Sequence, residues 1–123
     1  MAKKILVVED DMVLQNALKE FLSAEGFEIL VASDGEEGSA KALGEKPDLI
    51  LLDIILPKKD GYGVIKDVRA DESLKNVPIV LLTNLGSLND VEKALEMGAT
   101  TYLVKADYKL EEIATKVKNI LAV

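Results

Sequence analysis

Leu49-Ile50-Leu51-Leu52-Asp53 is the stretch that decides the fold. Four consecutive large apolar residues do not alternate, so a strand built from them has both faces covered, and it ends at once in a carboxylate. The same form recurs along the chain. Ile5-Leu6-Val7-Val8 runs into Glu9-Asp10-Asp11, Val77-Pro78-Ile79-Val80-Leu81-Leu82 into Thr83, and Tyr102-Leu103-Val104 into Lys105. A fifth run, Phe27 to Val31, is interrupted by Glu28 and reads as a strand near a sheet edge.

Between these runs apolar residues recur at helical spacing. Leu14, Leu18, Phe21 and Leu22 form one stripe, closed at Gly26 where a helix-ending glycine belongs. Asp34-Gly35-Glu36-Glu37 reads as a capping box opening a second helix that ends near Gly44, with Pro47 just beyond. Tyr62, Val64, Ile65 and Val68 mark a third helix. Ser87-Leu88-Asn89-Asp90 opens a fourth that Gly98 ends, and Leu110, Ile113, Val117 and Ile120 stripe the last. Five β-α repeats predict an α/β fold: a doubly wound, three-layer (βα)5 sandwich, with a parallel five-stranded sheet, right-handed crossovers and helices on both faces. Residues 1–123 are expected to form one domain.

Composition narrows the chemistry. With no cysteine and no histidine, thiol nucleophiles, Ser-His-Asp machinery and the commonest transition-metal ligands are excluded, so a metal here is a hard cation held by oxygen. Fifteen basic against 22 acidic residues give a net charge of −7, which disfavours direct binding of nucleic acid. No apolar run is long enough for membrane insertion, and Met1-Ala2-Lys3-Lys4 passes directly into a strand, unlike a signal peptide. A cytoplasmic protein is expected.

In an open parallel sheet, ligands bind beyond the carboxyl ends of the strands. Four of the five strands deliver Glu9-Asp10-Asp11, Asp53, Thr83 and Lys105 to that rim. Each has a plainer explanation by itself: the acids as helix caps, Thr83 as an ordinary strand end, Lys105 as a solvated surface charge. Together they form a more specific pattern. Converging carboxylates repel one another and raise their pKa values unless a cation compensates, and two or three carboxylates with a main-chain carbonyl and water suit Mg²⁺. The first loop has acids where a dinucleotide would need bare amides, and there is no GxxxxGK[ST] phosphate loop. A metal, a hydroxyl and a lysine instead suit one phosphoryl group attached to the protein after attack by an aspartate.

These residues resemble the receiver domain of two-component response regulators, a flavodoxin-like fold. Ile5 to Asp11 is similar to the family's first strand and acidic pocket. Leu51-Leu52-Asp53-Ile54-Ile55-Leu56-Pro57-Lys58-Lys59-Asp60-Gly61 is similar to its phosphoacceptor segment, and Leu82-Thr83 and Tyr102-Leu103-Val104-Lys105 to its last signature positions. The resemblance spans essentially the whole chain and implies strand order 2-1-3-4-5. It makes Asp53 the phosphoacceptor. Mg²⁺ (or Mn²⁺) would be held by Asp10, Asp53 and the main-chain carbonyl of Ile55, with Glu9 acting mainly through a metal-bound water. Thr83 would hydrogen-bond the phosphoryl group, Lys105 would pair with it, and Tyr102 would be a switch aromatic turning inward as Thr83 moves. The implied donor is a phosphohistidine of a sensor histidine kinase or phosphotransfer protein. With no output segment after Val123, the readout is expected to be contact with a target protein or self-association through the fourth helix, fifth strand and fifth helix.

Three departures carry their own expectations. Lys105 is followed by Ala106 where the family usually has proline. A cis bond there costs ~2.5–4 kcal/mol, against about 0.5–1 before proline, so either a trans bond with a re-routed loop or a strained cis bond is expected. Ile55 and Leu85 are apolar where a polar side chain would orient a hydrolytic water, so the aspartyl phosphate should decay slowly; Asn84 should narrow access to Asp53. Beyond self-phosphorylation and slow loss of that group, no enzyme activity is expected. An aspartate-nucleophile phosphohydrolase is the chief rival, but it needs a second aspartate at position 55. A receiver working unphosphorylated and a flavin-binding flavodoxin are weaker alternatives, the first kept open by Ala106 and the second opposed by the acidic first loop.

Overall fold

The computed structural model describes residues 2–84 and 88–123. Its strands and helices alternate: β1 (Lys4–Val8), α1 (Met12–Ala24), β2 (Glu28–Ala32), α2 (Gly35–Glu45), β3 (Leu49–Asp53), α3 (Gly61–Ala70), β4 (Ile79–Thr83), α4 (Leu88–Glu96), β5 (Thr101–Val104) and α5 (Leu110–Leu121). All the strand pairs are parallel, in the order β2-β1-β3-β4-β5.

Strand parity divides the core in two. Leu6, Val8, Ile50, Leu52, Ile79 and Leu81 pack with Val64, Ile65, Val68, Val91 and Ala94 of α3 and α4. Their neighbours Ile5, Val7, Leu49, Leu51, Val80, Leu82 and Leu103 pack with Leu18 and Leu22 of α1 and Ile113 and Val117 of α5. β1, β3 and β4 are therefore buried on both faces, as their unbroken apolar runs predict.

Some expectations need correcting. β5 shares the unbroken apolar form, yet it is an edge strand with Tyr102 37% exposed; three residues of apolar sequence do not distinguish an edge from a centre. The second capping box is displaced. Asp34 accepts from the Glu37 amide at 2.8 Å, but the Glu37 carboxylate reaches back to the Ser33 amide at 2.7 Å rather than to Asp34. Gly44 lies inside α2, and the left-handed residue that ends the helix is Lys46 at φ 51°. The expected caps at Ser87 lie outside the described residues. Among those residues no helix is long and apolar enough to cross a membrane.

Candidate functional site

Register brings the polar strand tips to one rim. Val8 pairs with Leu52, so Glu9 stands level with Asp53; Thr83 pairs with Val104, which places Lys105 one step beyond. Glu9, Asp53 and Lys105 continue the series of residues that face α1 and α5. The loop carrying Ile54 and Ile55 is seated by two close approaches. A Cβ on Gly35 would lie 1.7 Å from the Lys59 carbonyl oxygen, and one on Gly61 would lie 2.6 Å from Ile54 Cα. Only glycine allows both contacts. Asp60 caps α3 by accepting from the Gly63 amide at 3.0 Å.

The site's geometry centres on Lys105. Its ammonium donates to Asp53 Oδ2 at 3.0 Å and lies 2.9 Å from Glu9 Oε2. The second contact is an ion pair, and among the described residues the buried Glu9 Oε2 has no partner besides this ammonium. Asp53 Oδ1 accepts from the Ile55 amide at 3.2 Å, and Glu9 Oε1 from the Asp11 amide at 3.1 Å. One carboxylate oxygen from each of Glu9, Asp10 and Asp53 lies within 4.8 Å of the others. Of these three carboxylates Lys105 pairs with Glu9 and Asp53, and both of those are buried.

That imbalance appears in the protonation chemistry. Burial is the main cause holding the Glu9 carboxyl above the ordinary carboxylate range; the Asp53 charge acts in the same direction, while Lys105 and the Asp11 amide oppose it. Repulsion between acids was the expected cause, and it is the smaller one. Burial also opposes the Lys105 charge, but its contacts with Glu9 and Asp53 outweigh that, and its pKa is raised. Three clustered carboxylates with one lysine to balance two of them offer the hard oxygen ligands that fit a small divalent cation.

The peptide after Lys105 is trans, and the chain turns through one 3₁₀ turn, Lys105–Asp107. The re-routed loop still delivers Lys105 to both acids. Thr83 is buried, and its hydroxyl donates to the Asn84 carbonyl at 3.2 Å. Ile55 is 67% exposed at the rim and Asn84 is also exposed. Tyr102 points to solvent, outside the cluster. Leu85 lies outside the described residues.

Sequence reasoning missed Gln15. It is 2% exposed, and its amide donates to the Glu9 carbonyl at 2.8 Å, the Ala32 carbonyl at 3.1 Å and Ser33 Oγ at 3.2 Å. A signal was available: Gln15 stands three residues before Leu18 and seven before Leu22, so it is a polar residue on a buried stripe and requires a partner.

The response regulator receiver domain model matches residues 5–118. The chain belongs to this family. It is a receiver domain of two-component response regulators with the flavodoxin-like fold. It is 39% identical over 119 residues to a probable transcriptional regulator, ycf27, of Cyanophora paradoxa, covering 97% of this chain and 48% of that protein. It is 42% identical over 121 residues to the alkaline phosphatase synthesis transcriptional regulatory protein PhoP of Bacillus subtilis, covering 98% and 49%. The chain thus spans about half the length of the curated relatives it matches. Among solved structures, a putative response regulator from Chloroflexus aurantiacus aligns with TM-score 0.90 at 34% identity, each chain covered over 100%. The receiver domain of the sensor histidine kinase PA1611 of Pseudomonas aeruginosa aligns with TM-score 0.89 at 31% identity, again over 100% of each chain; that protein has a magnesium ion coordinated in its active site cleft.

Proposed function

We propose that this receiver accepts a phosphoryl group on Asp53 from a phosphohistidine of a sensor histidine kinase or phosphotransfer protein. The observation that carries this reading is the meeting of the Glu9, Asp10 and Asp53 carboxylates at the strand tips, with Lys105 paired to Glu9 and Asp53. Glu9, Asp10, Asp53 and the Ile55 carbonyl would hold Mg²⁺ (or Mn²⁺), which when bound supplies positive charge to the phosphoryl oxygens. An Asp53 carboxylate oxygen forms the new O–P bond as the P–N bond to the donor imidazole breaks, its electron pair leaving on that imidazole. Lys105, already 3.0 Å from Asp53, pairs with the transferred group. The Thr83 hydroxyl leaves the Asn84 carbonyl to donate to it, and that movement is the first step of the switch. Tyr102, exposed on the β5 edge, is the aromatic that would turn inward as Thr83 moves.

The changed surface is that of α4, β5 and α5, read by a target protein or a second copy in the cytoplasm. A net charge of −7 turns this domain away from direct contact with nucleic acid. Ile55 offers no proton acceptor two residues after Asp53, so the aspartyl phosphate is long-lived and small phosphates are not turned over. Ile55→Asn should speed its decay by about tenfold, equivalent to roughly 1.4 kcal/mol of barrier.

Incubation with acetyl phosphate and Mg²⁺, followed by peptide mass spectrometry, tests the assignment. One phosphoryl group is expected on the peptide containing Asp53 and none on Asp53→Asn. Labelling elsewhere, or sustained hydrolysis of p-nitrophenyl phosphate by the wild type, would overturn it.

A further inference from the structure

We propose that Gln15 is a positioning residue for the metal site, setting divalent-ion affinity through the backbone of the acidic loop. The inference rests on the reading that Glu9, Asp10 and Asp53 hold Mg²⁺. Gln15 touches none of their carboxylates. Its amide instead fixes the Glu9 carbonyl at 2.8 Å, the shortest of its three contacts. That carbonyl lies in the peptide plane joining Glu9 to Asp10, so its orientation sets ψ of one acid and φ of the next. If either angle drifts without the other compensating, the Asp10 side chain moves relative to Glu9 and Asp53, which Lys105 ties to each other and the Ile55 amide helps to fix.

The same Gln15 amide binds the Ala32 carbonyl and Ser33 Oγ at the tip of β2. The Ala32 carbonyl also accepts from the Glu9 amide at 3.0 Å, so the β2 tip holds the peptide units on both sides of Glu9, one directly and one through Gln15. The first turn of α1 adds a third restraint, the Gln15 backbone N–H donating to the Asp11 carbonyl at 2.9 Å. A neutral donor is the suitable choice behind three carboxylates. It satisfies a buried carbonyl without placing a second cation next to the one the acids would bind. Groups that orient metal ligands from behind commonly govern affinity by about 10–100-fold.

Calorimetric titration of the metal-free chain with MgCl₂ tests this. Gln15→Met keeps the length and removes the donor; it should weaken Mg²⁺ binding about tenfold. Gln15→Asn, which withdraws the amide by one methylene, should do the same and serves if the methionine variant does not fold. Leu22→Ala, buried on the same helix far from the acids, should lower unfolding stability yet leave Mg²⁺ affinity within about twofold of wild type. Affinity unchanged in folded Gln15→Met or Gln15→Asn overturns the proposal, as does a loss in Leu22→Ala as large as theirs. If wild type binds Mg²⁺ no better than Asp10→Asn, the metal reading itself falls, and this inference with it.

Discussion

Two loop clusters close the two ends of the sheet, and they treat charge in opposite ways. At the amino ends of β4 and β5, Arg69 of α3 is partly buried against backbone. Its guanidinium donates to the Gly98 carbonyl from Nε at 3.0 Å and Nη2 at 2.8 Å, to Leu74 from Nη1 at 2.8 Å and to Val77 from Nη2 at 2.7 Å. One cation satisfies three neutral acceptors, and burial alone draws its pKa down. At the carboxyl ends, three carboxylates crowd together and the Lys105 ammonium pairs with two of them, Glu9 and Asp53. The first end is satisfied within the fold; the second holds more negative than positive charge. A buried cluster of like charges marks a candidate functional site, whereas a saturated charge marks a structural joint.

The largest effect that could break this contrast is at the saturated end. Arg69→Ala leaves three carbonyls without their donor and removes the stem packed against Gly98, where a Cβ would already lie 3.0 Å from Arg69 Cγ. The expected loss is about 3–5 kcal/mol of unfolding free energy, read from urea denaturation. Phosphorylation of the folded fraction at Asp53 should persist. A loss below about 1 kcal/mol would show that water replaces the guanidinium and that the joint is not structural.

How far each end was legible in the sequence follows from the same contrast. The catalytic-looking rim was readable because strand tips follow directly from apolar runs: Glu9, Asp53, Thr83 and Lys105 are each the first polar residue after one. Lys105 reaches Glu9 and Asp53 with a trans peptide to Ala106, at the start of one 3₁₀ turn. The partners of Gln15 and Arg69 were not legible, since each acts on backbone carbonyls brought close by tertiary packing, although the place of Gln15 on a buried stripe marks it as needing one. Glu37 accepts from the Ser33 amide, not that of Asp34, for a similar reason: the path of the β2–α2 connection decides which amide the carboxylate meets. The edge position of β5 depends on strand order, which three residues cannot encode.

A smaller effect of opposite sign is expected at the unsaturated end. Asp10 is exposed and adds negative charge beside two buried acids. Asp10→Asn should stabilise the metal-free chain by about 0.5–1 kcal/mol while abolishing the gain in stability expected for the wild type with Mg²⁺ on the proposed reading. Thermal melts with and without Mg²⁺ supply both numbers. If the variant is less stable than wild type without metal, the acids are not straining the fold, and the contrast between the ends is lost.

The smallest effect sharpens the contrast through pH. Near the saturated end, Asp71 accepts from Lys46 Nζ at 2.7 Å, from the Ser73 amide at 2.9 Å and from its hydroxyl at 2.6 Å, joining the ends of α2 and α3. The Lys46 contact, then those from Ser73, hold its carboxyl down from 3.8 to about 2. Between those values the unfolded chain binds more protons than the folded one, so stability rises with pH there. The contribution is fully present above 3.8 and is lost as pH falls through about 2. Asp71→Asn should therefore cost stability at pH 5 but little near pH 2, and the difference should shrink with added salt because the pair is open to solvent. Urea midpoints measured across that range decide it. Glu9 is shifted the other way, so its burial weakens the fold as pH rises through its own titration. A wild-type minus variant difference that stays flat from pH 5 to pH 2 would mean that the Asp71 pair does not form, leaving Arg69 alone to hold this end of the sheet.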